Sequence, residues 1–261
     1  MHGMTVLSGV EFFEQARTHA AYQARRDSGR APNELIEQQA FDQMLGDVRG
    51  LEILDLGCGD GQYGRLLLER GCRSYLGIDA SSRMIALAQQ NLKTKHARLE
   101  CVPIDQFVFP EAAFDVVVSR MTLHWLEDPK TTVLQIARAL RPTGRLVFSV
   151  EHPVLTSSDA ARVEGEGRTH WVVDDYFIPG PRSVRWFGAD VRKYHRTVED
   201  YFQLLRNSGL SVEDLREGTP SAEHIEDPLE LRRRQRVPLS LLLGARKSAA
   251  NPELRCQRSE A

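Results

Sequence analysis

Cysteine is scarce in this chain, and the four present, Cys58, Cys72, Cys101 and Cys256, share no CxxC spacing. That pattern excludes a disulfide-stapled scaffold and points to reduced structural thiols. No apolar run approaches the ~18 residues that a spanning helix needs. The opening stretch MHGMTVLSGVEFFEQ also lacks a basic segment followed by an apolar one, so a cytoplasmic protein is expected. Neither sign of charge dominates: the formal net charge is −2, which leaves no footprint for nucleic acid or an anionic membrane and makes small molecules the expected partners. Arginine far outnumbers lysine, a hint of a GC-rich bacterial source. What is present suits a globular protein: 261 residues, 41% hydrophobic and 27% charged, enough for a substantial core.

The rest of the chain is organised around residues 51–61. Leu51, Ile53, Leu54 and Leu56 form an apolar run of strand length that breaks into Gly57, Gly59 and Gly61, with Asp55 two residues before the first glycine. A helix over 63–70 follows and stops at Gly71. Strand, glycine turn and helix read as the beginning of a nucleotide site, where a ligand approaches the backbone more closely than a Cβ permits and free N–H groups await it.

Residues 1–50 read as a helical flank. One helix spans Val10 to Ala24, Ser28-Gly29 and Pro32 break it, and a second runs from an Asn33 cap to Leu45. Tyr22 and Arg26 either face the ligand or serve as a packing tyrosine and a solvated arginine. Over 51–150 strands alternate with helices: 74–79, 97–104, 114–119 and 145–150 follow the first strand, with a serine-capped helix from Ser81 and a cap-then-proline start at Asp128-Pro129. Such alternation predicts a parallel sheet with the ligand at the carboxyl ends of its strands. Residues 151–196 lose the pattern and are rich in Gly, Pro, His, Arg and aromatics, which predicts an inserted lid over the mouth of the sheet. Residues 197–261 complete the sheet with a helix to Asn207, strands at 210–215 and 238–245, a charged surface helix over 221–236 and a polar tail. A single domain is expected overall.

The spacing of the carboxylates sharpens the nucleotide reading. Residues 57–61 spell GxGxG and lack the dinucleotide order GxGxxG, because position 62 is Gln62. Asp79 ends the second strand, where a carboxylate accepts both ribose hydroxyls, and Asp105 follows the third, placed for the exocyclic amine of a base. Together with Gly-Ile-Asp-Ala-Ser (77–81), Phe-Asp-Val-Val-Val-Ser (114–119), Leu-His-Trp-Leu (123–126) and Leu-Arg-Pro-Thr-Gly-Arg-Leu (140–146), these motifs resemble the class I S-adenosylmethionine-dependent methyltransferases over roughly residues 50–150. The resemblance implies a Rossmann-like, seven-stranded, mostly parallel sheet with an antiparallel last strand and helices on both faces. It also implies S-adenosylmethionine as cofactor and S-adenosylhomocysteine as product. By the same resemblance Asp55, Gly57, Cys58, Gly59 and Gly61 cradle the methionine part, Asp79 beside Ala80 holds the ribose, and Asp105 beside Gln106 reads the adenine amine. Met84 lies against the adenine ring, and residues from Ser119 to His124 line the sulfonium and acceptor side.

The acceptor end is read from chemistry alone. An activated methyl needs an acceptor in line behind it and water kept away, so positioning dominates, and a base is required only if the acceptor arrives protonated. His124, His152 and His195 are placed by sequence for that role, each with a structural, hydrogen-bonded histidine as the alternative. Trp125, Trp171, Tyr176, Trp186 and Tyr194 offer flat walls with polar tips for a small planar or amphipathic acceptor. A metal set of His152, His195 and Glu151 or Asp175 has no ligand-spacing signature, and no metal is expected. The leading expectation is a small-molecule methyltransferase. An RNA methyltransferase, or a module that binds the cofactor without transferring its methyl, stands as the alternative.

Overall fold

The computed structural model describes residues 5–27, 36–159 and 171–248. The break at Ser28–Pro32, the Asn33 cap, Cys256 and the tail beyond 248 lie outside them. Among the described residues Cys58, Cys72 and Cys101 are free thiols, the first two buried, and no helix is long and apolar enough to cross a membrane.

Seven strands form one sheet in the order β3-β2-β1-β4-β5-β9-β8. β1 (Glu52–Leu56), β2 (Ser74–Asp79), β3 (Ala97–Cys101), β4 (Phe114–Arg120) and β5 (Leu140–Glu151) run parallel. β9 (Ser240–Lys247) is antiparallel to both β5 and β8 (Leu210–Glu217). The last strand in the chain is thus the antiparallel one, as the motifs imply. Parallel neighbours need crossovers, and the sequence supplies amphipathic helices for them. α3 (Gln38–Leu45), α4 (Gln62–Glu69) and α5 (Ser82–Asn91) bury Phe41, Leu45, Leu67 and Ile85 on the sheet face that presents Ile53, Val116, Val118 and Val147. α6 (Pro129–Ala139) and α8 (Val198–Asn207) bury Val133, Ile136, Tyr201 and Leu205 on the face that presents Leu54, Val117, Leu146 and Phe148. Adjacent residues of one strand therefore feed opposite layers.

Three local readings are corrected. The helix expected over Val10–Ala24 is two, α1 (Gly9–Glu14) and α2 (Ala16–Asp27). Gln15 is extended at the break, and the Thr18 hydroxyl donates to the carbonyls of Phe12 and Gln15, so at Phe12 a side chain takes the bond that a backbone N–H would otherwise make. The charged stretch 221–236 is helical only as α9 (Pro228–Arg234), because Pro228 has no N–H and suits only a first turn, here capped by Asp227. The stretch after Glu151 is not irregular throughout: it contains α7 (Pro153–Thr156) and a hairpin of β6 (Gly180–Trp186) and β7 (Ala189–His195). Phe187 and Gly188 make its two-residue turn, both with positive φ (46° and 78°), as a primed turn requires.

The N-terminal segment joins this hairpin. Leu7 N–H donates to the Asp190 carbonyl at 2.8 Å, and Arg192 N–H donates to the Leu7 carbonyl at 2.8 Å. Leu7, Phe12, Val184 and Val191 form a separate small core, with Phe13, Tyr22, Trp125, Trp186 and Phe187 packed against it.

Candidate active site

At the carboxyl ends of β1 and β2 the glycine turn and a carboxylate hold each other. The N–H groups of Gly57 and Cys58 both donate to the Ile78 carbonyl at 2.9 Å. Gly59 N–H donates to Asp79 Oδ2 at 2.9 Å, and Ser81 N–H to Asp79 Oδ1 at 2.8 Å. Asp79 is thereby aimed by two backbone donors, and burial raises its pKa despite them. Gly57 has φ +77°, and a Cβ there would meet Thr122 Oγ1 at 2.3 Å, so the turn abuts the segment after β4. At Gly59, φ +56°, a Cβ would meet nothing nearer than Arg26 Nη1 at 4.0 Å. The turn is tight on its inner side and open on its outer side, the shape that a ligand lying against backbone requires. Beneath it Asp55 is buried, accepts from the Tyr75 hydroxyl at 2.7 Å, and is pushed by burial up to about 6.

A cavity of about 770 Å³ opens from this turn. Asp55, Gly57, Cys58, Gly59, Asp79, Ala80, Met84, Asp105 and Gln106 line one end; Tyr22 and Arg26 line it from α2. Arg26 is ion-paired to Asp60 at 3.1 Å. The other end is lined by His124, Trp125, Trp186 and Tyr194. The structure thus brings fifteen of the sequence-predicted residues to one continuous cavity. His124 is buried, and its Nδ1 faces Glu151 N–H at 3.4 Å. The Tyr194 hydroxyl donates to Glu127 Oε2 at 3.1 Å.

Six predicted residues are elsewhere. Gly61 caps α4 and packs on α5, where a Cβ would meet Leu92 Cδ1 at 2.8 Å. The Ser119 hydroxyl is fully buried and donates to the Leu56 carbonyl at 3.0 Å, tying β4 to β1. His152 caps α7 through Nδ1 and meets Glu217 through Nε2 at 2.9 Å; burial lowers its pKa. His195 spends both ring nitrogens, on the Thr156 hydroxyl and the Tyr176 carbonyl, each at 2.8 Å, and burial lowers its pKa as well. Trp171 Nε1 donates to the Val154 carbonyl at 3.1 Å, and Tyr176 packs its ring against His195. His195, Trp171 and Tyr176 fasten the hairpin and the segment before it to α7, and His152 ties α7 to β8, instead of facing the cavity.

Sequence reasoning missed several side chains on the cavity wall, chiefly Lys193, Arg120, Arg25 and Arg234, and weighed Glu151 only as a member of a metal set. Lys193 Nζ lies 2.8 Å from Glu151 Oε1 and beside the Trp125 and Trp186 rings, 4.8 and 4.5 Å from their centroids, which are themselves 5.6 Å apart. Arg120, one residue beyond Ser119, pairs with buried Glu37 and lies 4.3 Å from the Tyr63 ring centroid. Glu151 was readable as a carboxylate ending a strand, the same signal that marked Asp79. Lys193 carried none, because the hairpin that supports it was not read as one.

The family described as "Methyltransferase domain" matches residues 54–148. An S-adenosylmethionine dependent methyltransferase from Listeria monocytogenes is 33% identical, with a TM-score of 0.76 over 82% of this chain and 97% of that one. One from Mesorhizobium loti is 34% identical, with a TM-score of 0.74 over 83% of this chain and 98% of that one. A malonyl-acyl-carrier-protein O-methyltransferase from Priestia megaterium is 29% identical over 53% of this chain, and the match spans 48% of that relative's length.

Proposed function

The chain belongs to the class I S-adenosylmethionine-dependent methyltransferases, and from that membership we propose that its cavity holds the cofactor at the glycine turn and a small-molecule acceptor at the Trp125–Trp186 end. The observation that carries this reading is the continuity of the cavity, from the Gly57–Gly59 turn to the indoles, without a wall between them. When bound, S-adenosylmethionine supplies an activated methyl group. Asp79 accepts from the ribose hydroxyls with the oxygen lone pairs that Gly59 and Ser81 leave over. Asp105 and Gln106 read the adenine amine, and Met84 covers the ring. Asp55 and the glycine turn receive the methionine part, with Tyr22 and Arg26 above it.

The N-terminal helices and the hairpin act as the lid. Phe13, Tyr22, Trp125, Trp186 and Phe187 make its inner side apolar, which keeps water from the transfer. His124 is the one predicted histidine on the cavity wall. With Nδ1 accepting from Glu151 N–H its ring proton sits on Nε2, so it serves as a hydrogen-bond donor that orients the acceptor.

Calorimetry with S-adenosylhomocysteine tests the cofactor half: micromolar binding is expected, weakened about a hundredfold by Asp79→Asn, which loses a charge-assisted pair of bonds. Transfer of label from methyl-labelled cofactor into a small-molecule fraction of cell extract tests the acceptor half. Label appearing only in RNA would defeat the small-molecule reading.

A further inference from the structure

Lys193 is the most deeply buried of the cations on the cavity wall, with a side chain 2% exposed against 16–20% for Arg26, Arg120 and Arg234. It projects from β7, and its ammonium meets Glu151 beside two indoles that pack against each other. An ion pair is an expensive way to pin a hairpin, because removing both charges from water costs several kcal/mol per ion, and apolar packing fastens such a hairpin equally well. The neighbouring Phe12–Trp186 stack, with centroids 4.5 Å apart, already does so. A charge kept at the end of a cavity therefore calls for a ligand.

Two further cations line the same cavity from distant parts of the sequence. Arg25 comes from α2 and Arg234 from α9, just before Leu239 and the start of β9. They are near enough that Arg25 contributes to holding the Arg234 pKa below its ordinary value, burial being the larger cause. Of the nearby carboxylates, Glu151 meets Lys193, Glu127 accepts from Tyr194, and Glu230, outside the cavity wall, is bonded to Arg234 at 2.7 Å. No histidine is placed to remove a proton, since His152 and His195 are engaged outside the cavity and His124 accepts from Glu151 N–H. An acceptor that arrives as an oxyanion has no proton to lose.

We propose that the acceptor is a carboxylate-bearing small molecule whose anion is received by Lys193 beside Trp125 and Trp186, in competition with Glu151, and is drawn in past Arg25 and Arg234. The indoles hold the ammonium by cation–π attraction and offer flat faces to the acceptor's body. This rests on the methyltransferase reading above and names the substrate class of the same cavity.

The test uses the full chain saturated with S-adenosylhomocysteine and three matched probes, benzoate, benzamide and benzylamine, titrated by calorimetry. Benzoate is expected to bind about tenfold more tightly than benzamide, as one charge-assisted bond allows, and benzylamine not at all. Glu151→Gln removes the competing charge while leaving an oxygen for Lys193, so benzoate should bind more tightly still. A hairpin strap would instead lose affinity or stay unchanged on that substitution. Lys193→Met should bring benzoate to the level of benzamide, and Lys193→Arg should restore it. The proposal is overturned if benzamide matches benzoate, if none of the three probes binds, or if Glu151→Gln fails to tighten benzoate. Failure of the unmodified chain to bind S-adenosylhomocysteine would overturn the methyltransferase reading instead, so the two failures are distinguishable.

Discussion

Asp55 shows how much of a residue's behaviour is set by what surrounds it. Its carboxyl is enclosed by the sheet, and its bond from Tyr75 only partly offsets the loss of water. The folded pKa near 6 lies above the ordinary 3.8, so over that interval the folded protein keeps a proton that the unfolded chain has released. Stability from Asp55 is therefore fullest below the interval and declines as pH rises through it. Asp55→Asn, which still accepts from Tyr75, should flatten this part of the profile. Urea unfolding at pH 4.5 and 7.5 is expected to show a difference about 2 kcal/mol smaller in the variant, and an unchanged difference would show that Asp55 is not the group responsible. The histidines teach the converse. Sequence identified His152 and His195 as residues capable of proton transfer, but whether a ring nitrogen faces a ligand or a threonine depends on the neighbours that folding supplies, and both rings are spent on α7, Glu217 and Tyr176.

At the scale of elements, the glycines decide how closely helices and turns approach the sheet. Gly64 lies on α4 directly over Tyr75, and a Cβ there would stand 2.4 Å from the ring carbon Cζ. Because Tyr75 is fully enclosed and bonded to Asp55, it has nowhere to retreat. Gly64→Ala should cost about 2–3 kcal/mol, the usual penalty of overpacking, and weaken cofactor binding by displacing Asp55. A thermal melt unaltered from the parent would refute this. The elements that sequence predicted well are those whose signals are local. Ser81 caps α5 through Met84 N–H, Asp128 caps α6 ahead of Pro129, and Gly71 turns the chain at φ +88° after α4. The hairpin escaped because its turn begins with Phe187 in a left-handed conformation that favours Asn, Asp or Gly. No Asn-Gly signal marked it, and two of the three buried positions of β7, Lys193 and His195, are polar, so no clean alternation emerges.

Over the whole molecule, the segment before α1 and the hairpin some 180 residues later behave as one unit. Leu7 bridges Val191, Phe12 stacks on Trp186, and their small core is separate from the two layers that flank the sheet. Phe12 is completely buried in that core. Phe12→Ala should remove about 3–4 kcal/mol from this unit alone. Hydrogen exchange should then accelerate in 7–27 and 180–195 while β1, β4 and β5 stay protected, and uniform acceleration would mean that the sheet and its cover unfold together. What the sequence determined by itself is the sheet, its glycine turn and the carboxylates at its strand ends, because periodicity, caps and turns act over a few residues and a strand's end follows from its own pattern. What only the tertiary structure decided is the far half of the cavity: which of three histidines reaches it, and that Lys193 meets Glu151 beside Trp125 and Trp186. Apart from Lys193 with Trp186, those contacts join residues 27 to 68 positions apart along the chain, as Glu151 N–H with His124 and Lys193 with Trp125 do, and no local pattern encodes a pairing at that range.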